Sequence, residues 1–305
     1  MSLSPRSPVP AIGLGLSSHV LAGLSPFVMS AVIVRLGLIP GMALVYGIGA
    51  VGLVAALAWP RGRAIVVAEA RVLWAPPLRR AFAGGLAGFL VAGVAYYVGL
   101  ERSPRVAEYI FLTRLDWILQ APVAILLLRE PWTGRGLAGG ALALVGGIML
   151  VWTGAFGPSG LAAALVYILA SLAGYACFTP ISASRGVRGA ATLTVWRHWI
   201  NALGFAFLLA AFGSGAAAAD ASAWVLAGAG AVVIVVLFLL RFTALTGLPL
   251  WVLSVQAPVQ AMVAVAASLF TGAVLPLTTV AAISMIVIGE VIVTSSQSRR
   301  APAAA

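Results

Sequence analysis

The sequence has little charge, one cysteine, two histidines and no lysine. Charged residues make up 8% of its 305 positions, whereas soluble domains contain about 25%. The single cysteine, Cys177, excludes an internal disulfide and a cysteine-based metal site. The two histidines and seven acidic residues are dispersed and form no recognisable metal-ligand cluster, catalytic triad or phosphate-binding loop. We therefore expect no cofactor, no enzymatic activity and no nucleotide-driven transport by this chain alone.

Apolar residues dominate what remains. They make up 62% of the chain, and the mean hydropathy is +1.11, which predicts a protein embedded in a lipid bilayer. A helix satisfies its own backbone there, so the sequence predicts an all-α integral membrane fold. The first apolar run is too long for a signal-peptide core, so we expect it to be retained. Ten transmembrane helices are predicted, at 11–34, 39–58, 80–100, 104–127, 134–154, 159–183, 190–213, 222–245, 249–271 and 276–295.

Arginine supplies all 18 basic residues and a net charge of +11. These arginines are scattered over short connections, which argues against binding to nucleic acid and indicates a role in membrane orientation. With the N-terminus in the cytoplasm, 13 arginines, Arg241 among them, fall in inner segments and 3 in outer ones. This bias predicts an N-in, C-in topology. The long connection 59–79 is either an amphipathic helix on the inner surface or a solvated loop.

Two five-helix halves, 11–154 and 159–295, are indicated by paired features whose offsets shrink slowly along the chain. Because five is odd, the second half enters the membrane from the opposite side, which predicts an inverted repeat, as in many secondary transporters. The pairs are Leu24–Phe27 with Phe178–Ile181 (offset 154), Pro104 with Pro249 (145), and Leu144–Val151 with Val287–Thr294 (143).

The tetrapeptide Gln-Ala-Pro-Val occurs twice, beginning at Gln120 and at Gln256, with an offset of 136. This offset is two helical turns away from that of the neighbouring features, so the tetrapeptide does not mark the register of the repeat. At an offset of 143, Thr113 aligns with Gln256 and Trp117 aligns with Gln260.

Polar and aromatic residues at helical spacing follow one face of the fourth predicted helix, and two glutamines lie on the ninth. Polar groups at membrane depth face a cavity or another helix rather than lipid. The pattern has two interpretations: a substrate cavity near the midplane, or polar contacts that join helices. The candidate substrate-binding residues are Tyr109, Thr113, Trp117, Gln120, Gln256 and Gln260, with Tyr46, Tyr97 and Tyr175 from other helices.

Ionisable residues within the predicted spans are costly, at about 2.5–3.5 kcal/mol each on insertion scales. Asp116 and Arg114 are two residues apart on one helix, so each needs a different partner. We expect Asp116 to meet Arg197 or His198, either in a structural ion pair or as a proton carrier. His19, in the first predicted helix, either titrates or hydrogen-bonds a neighbouring helix.

Small and helix-bending residues recur within the spans. An interior proline frees a backbone carbonyl and permits a kink, which predicts bending points for alternating access. The Gly84–Gly88 pair forms a GxxxG motif, for which packing within a monomer is expected and a homodimer is the alternative. The candidate hinges are Pro26 and Pro180 in the first helix of each half, and Pro122 and Pro258 in the fourth.

Two long stretches, Leu126–Val151 and Pro258–Gly289, together with the ten helices and the inverted halves, resemble the EamA-type exporters of the drug/metabolite transporter superfamily. Arg197 lies where the second helix of a half often carries arginine in that family. The family typically closes each fourth helix with Leu-Gly-Glu. This sequence keeps the acid in one half, as Glu130, and the glycine in the other, as Gly272.

The resemblance implies a multi-pass exporter of the bacterial inner membrane. It favours the aromatic amino-acid exporters, which also carry other neutral amino acids, with other metabolites or drug-like compounds as the alternative cargo. A non-catalytic membrane subunit and a membrane-embedded lipid enzyme are the interpretations from other classes. A lipid enzyme needs clustered histidines or acids at one interface, and a structural subunit has no need of a duplicated polar stripe.

Overall fold

The computed structural model describes residues 8–103, 106–113, 115–116, 119, 134–152, 157–182, 190–213, 220–245, 257–270, 272 and 274–298. The described residues form helices and no strand, which confirms the all-α expectation. In chain order the helices are α1 (Pro8–Leu36), α2 (Leu38–Leu57), α3 (Pro60–Leu73), α4 (Pro76–Glu101), α5 (Val106–Thr113), α6 (Gly134–Trp152), α7 (Pro158–Ser182), α8 (Ala190–Phe212), α9 (Ala221–Leu245), α10 (Ala257–Phe270) and α11 (Leu277–Ser298).

Each of the ten predicted segments overlaps one of these helices. Where a segment is described throughout, the predicted and observed ends agree within about four residues, as for 190–213 against Ala190–Phe212. Among the described residues, six helices are long and apolar enough to cross a membrane: α1, α2, α4, α7, α8 and α9. The chain is therefore a helical protein with multiple apolar segments of membrane-spanning length.

The connection 59–79 contains a helix, α3, rather than a solvated loop. Val66, Glu69 and Leu73 are buried on one face, while Arg63 is exposed. The hydroxyl of Thr192, at the start of α8, donates a hydrogen bond of 2.5 Å to Glu69 Oε2. The buried face and this hydrogen bond fix α3 against α8.

A one-residue turn joins α1 to α2. Gly37 occupies it with a φ of 81°, a left-handed conformation that glycine adopts without strain. Beside it, Arg35 Nη2 donates to Asp220 Oδ2 at 2.8 Å, which ties the turn to the start of α9. Asp220 also accepts hydrogen bonds from the Ser222 hydroxyl and the Ala223 amide, each at 2.7 Å. Those two bonds and the contact with Arg35 lower the pKa of the Asp220 carboxyl to about 2.

The helices pack in pairs that join the two predicted halves. Helix α1 lies along α9, and α4 lies along α7. In addition α2 packs on α8, α5 on α10 and α6 on α11. The main buried core is formed between α1, α2, α4, α5, α7, α8, α9 and α11.

Glycines allow the closest of these approaches. A Cβ on Gly139 would lie 2.7 Å from the Gly289 carbonyl oxygen, and a Cβ on Gly289 would lie 2.5 Å from the Gly139 carbonyl oxygen. A Cβ on Gly88, in the GxxxG motif, would lie 2.9 Å from the backbone of Gly174, and Gly84 faces Cys177. Small residues let two backbones approach in this way inside a membrane bundle. The GxxxG motif therefore serves packing of α4 on α7 within the chain.

Candidate functional site

A cavity of about 80 Å³ lies between α1, α2, α4, α7, α8, α9 and α10. Tyrosine supplies much of its polar lining, and the described lining residues include two arginines but no acid. The polar and aromatic lining residues are Ser25, Tyr46, Phe89, Tyr96, Tyr97, Tyr167, Ser171, Tyr175, Arg197, Phe238, Arg241 and Gln260.

Four of the substrate-binding candidates line this cavity: Tyr46, Tyr97, Tyr175 and Gln260. The hydroxyl oxygens of Tyr46 and Tyr97 are 3.1 Å apart, so one donates to the other. The Tyr46 ring stacks on Phe205, with ring centroids 5.6 Å apart and planes 8° apart. These contacts fix two hydroxyl groups side by side on rigid rings at the cavity wall.

Arg197, on α8, is 8% exposed and lines the cavity. Its Cζ lies 3.3 Å from the centroid of the Phe238 ring and 5.9 Å from that of Phe89. Its Nε and Nη1 atoms have no hydrogen-bond partner among the described residues. The Asn201 amide donates to the Arg197 backbone carbonyl at 2.8 Å, one turn along the helix. Ring faces therefore contact the guanidinium while two of its nitrogens have unused donors.

A second cation reaches the same cavity from α9. The charge pattern assigns Arg241 to an inner segment, but the structure places it within α9, 5% exposed and at the cavity lining. Its Cζ lies 5.8 Å from the Phe238 ring centroid. A residue near a helix end can therefore line an interior cavity when its face of the helix is turned inward.

The two histidines are both buried. His198 Nδ1 lies 3.0 Å from the Thr194 carbonyl oxygen, which can only accept, so Nδ1 carries a proton. The imidazole lies against the rings of Tyr46 and Phe238, at centroid distances of 5.6 and 6.5 Å. His19 is buried in α1. Neither histidine is among the residues that line the cavity.

Asp116 contacts the cavity lining through two neighbours. Its Oδ2 accepts hydrogen bonds from the Ser171 hydroxyl at 2.9 Å and the Tyr167 hydroxyl at 3.2 Å. The expected ion pair with Arg197 or His198 is not found among the described residues. Because Tyr167 and Ser171 both line the cavity, the buried carboxylate of Asp116 orients two lining hydroxyl groups.

Tyr109 and Thr113, which the polar stripe places at the cavity, lie in helix packing instead. The Thr113 hydroxyl is 3.1 and 2.9 Å from the carbonyl oxygens of Tyr109 and Ile110, so it bonds its own helix. The Tyr109 hydroxyl donates to the Ala95 carbonyl at 3.4 Å and lies close to Gly99. A hydroxyl that bonds its own backbone gives no signal in the sequence of which way the residue faces.

Gln260 bonds a backbone carbonyl that the candidate hinge residue Pro26 leaves without its helical donor. Pro26 is buried inside α1 and has no N–H to donate to the carbonyl of Ala22, four residues earlier. Gln260 Nε2 donates to that oxygen at 3.1 Å, and the Ser25 hydroxyl lies 3.4 Å from it. The Gln260 side chain, from α10, therefore replaces the backbone hydrogen bond to Ala22 that Pro26 cannot make.

Several sequence candidates lie outside the described residues. Pro180 and Pro258 fall within α7 and α10, but their side chains are not described. The remaining candidates outside the described residues are Arg114, Trp117, Gln120, Pro122 and Gln256.

The sequence pattern misses other lining residues. Tyr167 and Ser171 precede the candidate Tyr175 in steps of four on α7, a spacing that shares one helix face. Phe238 and Arg241 are three apart on α9 and share a face in the same way. Polar and aromatic residues three or four positions apart therefore mark a helix face here, as they do in the stripe of the fourth predicted helix.

Comparison with known proteins supports the fold alone. No family model and no curated protein matches the sequence. A crystal structure of another protein matches over 95% of this chain and 98% of its own, with a TM-score of 0.63 and 19% sequence identity. At that identity the likeness shows that the two chains share a fold and nothing about activity.

Proposed function

We propose that this protein is a secondary transporter that moves a small organic molecule through the central cavity by alternating access. The observation that carries the proposal is a cavity lined by tyrosines, arginines and a glutamine inside a bundle of apolar helices. Polar and charged side chains are costly at membrane depth, and in membrane proteins they mark substrate pathways. We further propose, on the resemblance, membership of the drug/metabolite transporter superfamily and export of amino acids, with aromatic and other neutral ones favoured, across the bacterial inner membrane.

The proposed architecture is ten spans in two inverted halves, 11–154 and 159–295. The helix pairs support it. The first helix of one half, α1, packs on the third helix of the other, α9, and the first helix of the second half, α7, packs in the same way on the third helix of the first, α4. The pairs α2–α8, α5–α10 and α6–α11 each join a helix of the first half to the helix at the same position in the second half. The bond between Arg35 and Asp220 supports the ten-span arrangement, because that arrangement places both residues on the same side of the membrane. The proposed N-in, C-in orientation rests on the arginine bias of the sequence.

Transport in purified liposomes tests the proposal. The full chain is reconstituted with labelled L-phenylalanine and a panel of other labelled amino acids and small metabolites inside the vesicles. We expect efflux above that of empty liposomes, reduced in Tyr97→Phe, which removes a hydroxyl from the Tyr46–Tyr97 pair. Phe207→Leu, which changes an exposed residue of the same bundle, is the control and should leave efflux unchanged. No efflux of any compound would contradict the proposal and favour a structural subunit or a lipid enzyme.

A further inference from the structure

Arg197 is a buried cation without an ion-pair partner among the described residues. Its side chain is more than nine-tenths buried, it lines the cavity, and two of its three guanidinium nitrogens lack hydrogen-bond partners there. Buried charges in proteins are ordinarily paired. The missing partner is therefore expected to be a group that enters the cavity.

The guanidinium is held in a defined orientation. The Phe238 ring lies 3.3 Å from Cζ on one side, and Phe89 lies at 5.9 Å. Aromatic rings interact with the face of a guanidinium and leave the N–H groups at its edge available. A planar fork that matches the two oxygens of a carboxylate consists of Nη2 with either Nε or Nη1, so each such fork includes one of the two nitrogens without a partner among the described residues.

The rest of the cavity favours negative charge. Arg241 is a second arginine in the lining, with its Cζ 5.8 Å from the Phe238 ring centroid. Ser25, Ser171 and Gln260 are neutral, and no described lining residue is acidic. A cationic group entering the cavity would meet arginine side chains in the lining itself, whereas the Asp116 carboxylate lies behind the lining hydroxyl groups of Tyr167 and Ser171.

We propose that Arg197 binds the carboxylate of an aromatic acid, with the tyrosine rings around its aryl group, and that the site does not require an α-ammonium group. This inference rests on the proposed transport function and deepens it, since it names the preferred substrate class as aromatic carboxylates, within which amino acids are tolerated. Tyr46 and Tyr97 supply the wall for the ring, while Arg197 supplies the counter-charge.

Three compounds with the same skeleton test the preference: 3-phenylpropionate, L-phenylalanine and 2-phenylethylamine. Binding to the purified full chain is measured by calorimetry. We expect 3-phenylpropionate to bind at least about tenfold more tightly than 2-phenylethylamine, and no more weakly than L-phenylalanine. Equal or tighter binding of the amine would overturn the proposal.

Arg197→Gln tests the residue. We expect the variant to bind 3-phenylpropionate at least about tenfold more weakly, with 2-phenylethylamine unchanged or improved. Arg63→Gln removes an exposed arginine of α3 and is the matched control, with no change expected. If Arg197→Gln does not fold, Arg197→Lys replaces it; this variant keeps the charge without the fork and is expected to bind 3-phenylpropionate more weakly than the parent. Unchanged affinity for 3-phenylpropionate in the folded variant would overturn the proposal.

Flux measurements separate this inference from the proposed function. Labelled L-phenylalanine efflux is measured with 3-phenylpropionate or 2-phenylethylamine as competitor. Efflux that 3-phenylpropionate inhibits only when Arg197 is present supports both proposals. Efflux with equal inhibition in the parent and Arg197→Gln supports transport and overturns the anion site. Arg197-dependent binding without any efflux supports the anion site and contradicts transport.

Discussion

Gln260 donates a hydrogen bond of 3.1 Å to the carbonyl oxygen of Ala22, which Pro26 deprives of its helical partner. The contact joins α10 to α1 where a Cβ on Gly23 would lie 2.6 Å from the Gln260 carbonyl oxygen. A candidate hinge and a candidate substrate residue are thus parts of one contact at the cavity lining.

Replacing Gln260 by leucine should destabilise the protein by about 1–3 kcal/mol, because the buried Ala22 carbonyl loses its closer donor and keeps only the Ser25 hydroxyl at 3.4 Å. The same change in a Pro26→Ala background should cost less, since an alanine at that position would supply the N–H that Pro26 lacks. The thermal unfolding midpoints of the parent, the two single variants and the double variant complete the cycle. Equal costs in both backgrounds would show that the carbonyl does not link the two residues.

Gly289→Ala should destabilise the α6–α11 pair by about 1–3 kcal/mol, because the added methyl group would meet the backbone of Gly139 and Ala143. Gly228→Ala, on α9, is the control: a Cβ there has nothing within 4 Å, so we expect a neutral or slightly stabilising effect. Unfolding midpoints in detergent, followed by circular dichroism, provide the comparison. Similar shifts in the two variants would contradict close backbone packing at Gly289.

Asp116→Asn should retain transport within about threefold of the parent, because an amide oxygen still accepts a hydrogen bond from Tyr167 or Ser171. Asp116→Leu should reduce transport by about tenfold or more, since both hydroxyl groups lose their acceptor. The initial rate of efflux is measured with and without a pH gradient. If Asp116→Asn exchanges substrate normally but loses its response to the gradient, Asp116 is a proton carrier rather than a positioning residue.

Asp220 should stabilise the fold only above acidic pH. Its folded-state pKa of about 2 lies below the ordinary value of 3.8, so its contribution is complete above about pH 4 and is lost as the pH falls toward 2. The difference in unfolding midpoint between the parent and Asp220→Ala should therefore be constant from about pH 5 to 7 and shrink below about pH 4.

Arg35→Gln serves as the companion variant because it keeps the bonds from Ser222 and Ala223 that cap α9. It should lower the midpoint less than Asp220→Ala at neutral pH. A difference between parent and Asp220→Ala that grows as the pH falls would contradict the lowered pKa.

The sequence alone determined where the helices lie. Apolar runs in a bilayer have one way to satisfy their backbone, and charge, proline and glycine mark their ends, so the predicted 222–245 lies close to the observed Ala221–Leu245. It also indicated several lining residues, including Tyr46, Tyr97 and Gln260, because polar groups inside such runs are costly unless they serve a purpose.

Only the tertiary structure decided which face of each helix is turned inward. A helix that is apolar all round carries little directional signal, so Arg241 could not be assigned to the cavity from its place near a helix end. The same limit applies to Tyr109 and Thr113, whose hydroxyl groups bond backbone carbonyls and which are not among the described lining residues. The orientation of a helix about its axis depends on glycine contacts with neighbours, such as Gly88 on Gly174, and these exist only once the helices are assembled.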